Sequence, residues 1–177
     1  RLLRAANGPA VVIDGNVLHP AVQTSLKVMN SSPGAHLSSD TLALDKSAIV
    51  AFASRFDPQP YHLDAEAAEQ SIFGGLCASG WHIAALATRL VSETLLQNGH
   101  PFVEMISVSE LKWSRPTFVN EQISVRIALD APLSESPIPG TRAQNLQVDV
   151  CNSDGAVVAK MSATAAISAE PAPEARP

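Results

Sequence analysis

Residues 76–99 read LCASGWHIAALATRLVSETLLQNG. Leu76, Ile83, Leu86, Ala87, Leu90, Val91 and Leu95 recur at helical spacing, and Asn98-Gly99 is a helix-stop signal. The spacing predicts one long buried helix, opened by the glycine pair Gly74-Gly75. Its alanine-rich first half suits a helix that another element wraps closely.

Downstream the hydrophobic period falls from 3.6 to 2. The runs MISVSELKW (105–113), QISVRIALDA (122–131), NLQVDVCN (145–152) and AVVAKMSATAAI (156–167) alternate as antiparallel strands do. NSDG at 152–155 joins the last two as a tight hairpin, and SESPIPGTRA (134–143) is a longer loop. One buried helix followed by four such strands predicts an α+β fold, a curved antiparallel sheet around a central helix. Such a sheet leaves edges that a second copy can cover, so a homodimer or a dimer of dimers is expected.

Upstream, Ile49, Phe52, Ala53 and Phe56 mark one apolar face of a helix, with Asp45 or Ser47 as its cap. That helix should end at Asp57, because the residue before Pro58 is steered out of the α region. After His62, DAEAAEQSI reads as a short helix capped by Asp64, with Glu66, Glu69 and Gln70 on its solvated face. PAVVID (9–14) and QTSLKVM (23–29) read as short strands. Residues 1–40 are thus an N-terminal segment of the same domain, 41–168 the main domain, and 169–177 a Pro- and Ala-rich disordered tail.

Composition bounds the function. The 177 residues include 46 % hydrophobic side chains, enough for a sizeable core. The net charge is 12 − 17 = −5, which offers no basic field for nucleic acid. No apolar run approaches the roughly 20 residues of a membrane span. The apolar patch near the start is too short for the core of a signal peptide. Two cysteines, Cys77 and Cys151, make neither a disulfide framework nor a four-ligand zinc site, and a cytoplasmic protein is expected.

Chemistry concentrates in RFDPQPYHLD (55–64). Asp57 and His62 flank a stretch stiffened by Pro58 and Pro60. Either residue alone has a structural reading, as a helix cap or a satisfied core histidine. Together, just ahead of a glycine pair, they suit proton transfer through a shared water. His62-x-Asp64 has no third ligand at a convincing spacing, so no metal is expected. Cys77 reads as a small buried hydrophobe rather than a nucleophile. His82 reads as a buried helix residue, Trp81 and Trp113 as core or tunnel wall, and Ser79 as a possible pocket contact. His19, His36 and His100 carry no signal.

FDPQPYHLD, SIFGGLCASGWHIAALATRL and ELKWSRP together resemble the MaoC-like hydratases, relatives of (R)-specific enoyl-CoA hydratases. The resemblance runs over about residues 40–168 and implies a hotdog fold, usually paired as a dimer. It implies reversible hydration of 2-enoyl thioesters, with CoA or acyl carrier protein entering as part of the substrate and no further cofactor. The family's loop has the order Asp-x-Asn-Pro-x-His; Asp57, Pro60 and His62 match it, while Gln59 stands where Asn is common. Asp57 and His62 are therefore the implied catalytic pair. Gly75, beside Gly74, is the implied amide donor to the thioester oxygen. Phe118-Val119-Asn120-Glu121 replaces the family's common Pro-Gly-Asp. Two alternatives share the fold: an acyl-CoA thioesterase, for which the long helix offers only Glu93, and a non-catalytic acyl-thioester-binding module.

Overall fold

The computed structural model describes residues 12–13, 16–17, 36–133 and 136–170. Contacts divide the chain into two units, Arg1–Ser32 and Pro33–Pro177. In the first, β1 (Val12–Ile13) and β2 (Asn16–Val17) pair antiparallel. The strand expected over 23–29 and the tail from 171 lie outside the described residues.

The second unit runs β3 (His36–Ser38), β4 (Leu42–Ala43), α1 (Lys46–Phe56), α2 (Pro60–Leu63), α3 (Ala65–Glu69), α4 (Gly80–Gln97), β5 (Phe102–Trp113), β6 (Gln122–Pro132), β7 (Thr141–Asn152) and β8 (Val157–Ser168). The sheet order is β3-β6-β7-β8-β5, with β4 also on β6, and its pairings are antiparallel. The four long strands fall where the alternation put them. β3 and β4 come from residues 36–43; they are too short for alternation to reveal.

α4 is the core helix. Its Ile83, Ala87, Leu90, Val91 and Leu95 join Ile123, Val125 and Ile127 of β6, Leu146, Val148 and Val150 of β7, and Ile167 of β8 in one buried cluster. Each fully buried Leu, Ile or Val in such a seam contributes about 1.5–3 kcal/mol by leaving water. This burial, rather than helix propensity, fixes the helix against the sheet.

Local signals set the boundaries. Asp45 caps α1 by accepting from Ala48 N–H at 2.8 Å, and Asp64 caps α3 by accepting from Ala67 N–H at 2.9 Å. Asp57 is the last-residue cap of α1, as Pro58 requires. Asn98 caps α4, and Asn152–Gly155 forms the β7–β8 turn with Gly155 N–H on Asn152 C=O at 2.9 Å.

Three expectations are corrected. α4 begins at Gly80, capped by Ser79, not at Gly75. Leu76–Ala78 are instead extended: Val119 N–H donates to Leu76 C=O at 3.2 Å and Ala78 N–H to Thr117 C=O at 2.8 Å. Apolar residues in this short strand continue the helical spacing by coincidence. Phe56 does not face the core but is 69 % exposed, because α1 is at its last turn there and buries only Ile49 and Ala53. Residues 60–63 form a helical turn, not a loop, with Pro60 at a first-turn position where its missing N–H costs nothing.

Candidate active site

Asp57 and His62 come together although five positions separate them. α1 delivers Asp57 at its C-terminal end, and α2 turns the chain back so that His62 Nε2 lies 3.6 Å from Asp57 Oδ2. His62 is buried and Asp57 partly so. At 3.6 Å the two are beyond direct hydrogen bonding. The space beside them is open to a cleft.

His62 is oriented by the extended segment after the glycine pair. Backbone carbonyls alternate in direction along a strand, so with Leu76 C=O turned to Val119, Cys77 C=O turns the other way. It accepts from His62 Nδ1 at 2.7 Å. A carbonyl only accepts, so Nδ1 carries a proton, and Nε2 is the ring nitrogen that faces Asp57. Tyr61 adds an edge contact to the imidazole, with ring centres 4.6 Å apart, and in turn packs on Phe73.

Asp57 is held by Ser79, whose hydroxyl donates to Oδ2 at 2.6 Å. The Ser79 hydroxyl oxygen itself accepts from Trp81 N–H at 3.2 Å and so caps α4. One buried serine therefore fixes both the carboxylate and the start of the central helix. Oδ1 has no hydrogen-bond partner among the described residues.

A cleft of about 420 Å³ opens on the pair. Tyr61, Phe73, Trp81, Ile83, Trp113 and Val158 give it apolar walls, and Cys77, Ala78, Gly80, Ser114, Arg115, Pro116 and Thr117 complete the lining. Trp81 and Trp113 pack edge to face at 5.1 Å and are 59 % and 42 % exposed, so they are wall rather than core.

Gly80 occupies the place expected of Gly75. It lines the cleft beside Asp57 and His62, and as the first residue of α4 its N–H lacks a helical acceptor. Trp113 Nε1 donates to Gly80 C=O at 2.8 Å, and a Cβ at Gly80 would lie 2.8 Å from the indole, so any larger residue must displace the ring. Gly75 does not line the cleft; the nearest heavy atoms to a Cβ there would be the Phe118 ring at 3.7 Å. Gly74, at φ +68°, makes the turn that leads into the extended segment.

The other sequence candidates settle as follows. Cys77 is buried, and burial pushes its thiol pKa up, which disfavours the nucleophilic thiolate. It is the Cys77 carbonyl that matters. His82 is buried in α4 and stacks flat on Phe52 at 4.6 Å, outside the cleft lining. Glu93 lies exposed near the far end of α4, paired with Arg89 at 2.8 Å. His100 is buried and accepts from Arg142 at 2.9 Å. Among the described residues no three His, Cys, Asp or Glu side chains are placed to hold a metal ion, and no helix is long and apolar enough to cross a membrane. The sequence reading missed Gly80, Tyr61 and Phe73; serine before the helical run was the available signal for the true helix start.

Comparison with known proteins now places the chain. Residues 28–135 match the MaoC like domain model. No curated protein matches the chain. A MaoC-like dehydratase from Rhodospirillum rubrum is 36 % identical, with a TM-score of 0.67 over 79 % of this chain and 94 % of that one. An R-hydratase from Pseudomonas aeruginosa is 19 % identical, with a TM-score of 0.59 over 85 % and 94 % of the two chains. An (R)-hydratase from A. caviae involved in PHA biosynthesis is 20 % identical, with a TM-score of 0.60 over 76 % and 95 %. The helix wrapped by a curved antiparallel sheet is the hotdog fold. The chain belongs to the MaoC-like dehydratase family.

Proposed function

We propose that this protein catalyses the reversible hydration of 2-enoyl thioesters to (R)-3-hydroxyacyl thioesters. The observation that carries the reading is the facing pair, Asp57 Oδ2 and His62 Nε2 at 3.6 Å, both residues on the cleft. The (R) outcome follows the two hydratases of this fold named above.

A water between the pair donates one hydrogen to Nε2 and the other to the carboxylate, which leaves an oxygen lone pair for C3 of the substrate. As the C3–O bond forms, the water's proton passes to the pair and the π electrons shift toward the thioester oxygen. The Gly80 N–H and the positive end of α4 stabilise that oxygen. A proton returned from the pair to C2 completes the addition. Each well-placed proton-transfer partner accelerates such a step by about 10²–10⁴. Preorganisation is built in: Cys77 C=O fixes the tautomer and Ser79 fixes the carboxylate, so neither must be ordered when substrate arrives.

The carrier is CoA or acyl carrier protein. Pairing of two copies along β5 fits an edge strand of 12 residues that exposes Val103 and Val108. A thioesterase would require an acid on the central helix at the cleft, and Glu93 is engaged elsewhere. The direct test is incubation with crotonyl-CoA. Loss of enoyl absorbance without release of free CoA supports hydration, and release of free CoA in step with substrate loss refutes it.

A further inference from the structure

We propose that Arg115 binds the phosphate at the end of the pantetheine arm that carries the acyl group. This rests on the reading of the cleft as a thioester site. CoA and acyl carrier protein share that arm, and in both it ends in a phosphate ester.

Among the described residues of the cleft lining, Arg115 is the only Arg or Lys and Asp57 the only Asp or Glu. Of the other seven cations among the described residues, five have side-chain partners; Lys46 and Arg55, which have none, lie outside the cleft lining. Arg89 pairs with Glu93, Lys112 with Glu110, and Arg126 and Lys160 both reach Asp149. Arg142 donates to Gln144 and His100. Arg115 has no such partner among the described residues and is exposed.

Its backbone, by contrast, is pinned. Ser114 N–H and Arg115 N–H both donate to Val158 C=O, at 2.8 and 3.3 Å, Pro116 follows with a fixed φ, and Thr117 C=O accepts from Ala78 N–H. The rim is therefore a rigid mount for a free guanidinium. The rest of the lining includes aromatic and aliphatic walls, Tyr61, Phe73, Trp81, Ile83, Trp113 and Val158, suited to an acyl chain and a neutral arm. A planar guanidinium matches a phosphate with two parallel hydrogen bonds and stays charged at any working pH. Because the contact lies far along the substrate from C2 and C3, it holds substrate and transition state equally and acts on KM rather than kcat.

The test compares wild type with Arg115→Gln on three substrates: crotonyl-CoA, crotonyl-acyl carrier protein, and crotonyl-pantetheine, which lacks the phosphate. The variant is expected to raise KM for crotonyl-CoA by about two- to fivefold, the scale of an exposed charge pair, with kcat little changed. Its kinetics on crotonyl-pantetheine should match wild type. An equal rise with crotonyl-acyl carrier protein supports the shared phosphate, and a rise with crotonyl-CoA alone overturns the proposal in favour of a phosphate of the nucleotide portion. A rise with crotonyl-acyl carrier protein alone overturns the proposal in favour of the carrier's own surface. Equal losses on all three substrates, or none on any, also overturn it. Titration of free CoA and of pantetheine gives a readout without turnover: if wild type binds CoA no better than pantetheine, the proposal fails whatever the enzyme does. If crotonyl-CoA is not hydrated yet the CoA preference vanishes in Arg115→Gln, only the hydratase reading fails.

Discussion

Ser79 donates its hydroxyl to Asp57 Oδ2 at 2.6 Å while accepting the Trp81 amide at 3.2 Å. The end of α1 and the beginning of α4 are thereby tied through one oxygen. The central helix is thus placed relative to the Asp57 carboxylate, not only to the sheet.

Replacing Ser79 tests that double duty. Ser79→Ala removes a helix cap, a loss of about 1 kcal/mol, which lowers Tm by about 2–4 °C in a domain of this size. It also frees Asp57 to rotate, and kcat for crotonyl-CoA should fall about tenfold or more. Thermal melts and steady-state kinetics on one preparation separate the two effects. Unchanged kcat would show that the serine serves the helix alone.

Gly80 is predicted to resist substitution. In Gly80→Ala the new Cβ would lie 2.8 Å from the Trp113 indole, and the ring must move with loss of its bond to Gly80 C=O. Stability should fall by about 1–3 kcal/mol, the usual cost of overpacking. Adding Trp113→Ala should recover part of it by making room. A double variant as unstable as the sum of its parts would contradict the clash.

Stability should decline on the acid side. Burial lowers the His82 pKa below its ordinary 6.5, outweighing the favourable charge of Asp45. Burial and the neighbouring Arg142 lower that of His100 in the same way. A histidine that resists protonation when folded lets the unfolded chain bind more protons, so stability is full above about pH 6.5 and falls as pH drops toward the lowered values. His82→Phe keeps the ring on Phe52 and removes the titration. Its Tm should drop less between pH 7.5 and 5.5 than that of wild type; equal drops would exclude His82 as a source.

Much of the fold was legible because its signals are local. Asp45 and Asp64 cap the helices they precede, Pro58 stops α1, Asn98-Gly99 stops α4, and the period-2 runs became β5 to β8. The spacing of Asp57 and His62 was equally readable, since a single helical turn brings them together. What failed was long-range. Leu76–Ala78 carry apolar residues in helical register, yet pair with 117–119, about forty residues away in sequence, and that pairing starts the central helix at Gly80 rather than Gly75. The work of the Cys77 carbonyl left no trace in the side-chain pattern, because any residue there supplies one. Trp81 and Trp113 look like core by type; only the cleft explains their exposure.

The central claim is that Asp57 and His62 act on one water. It is tested most directly by measuring kcat for crotonyl-CoA hydration in Asp57→Asn, His62→Gln and the double variant. Each single change should lower kcat by about 10²–10⁴ while Tm stays near that of wild type. Residues that work as a unit are not additive, so the double variant should be no more than a few-fold slower than the slower single. Losses that multiply, or an Asp57→Asn protein that hydrates at the parent rate, would contradict the shared water.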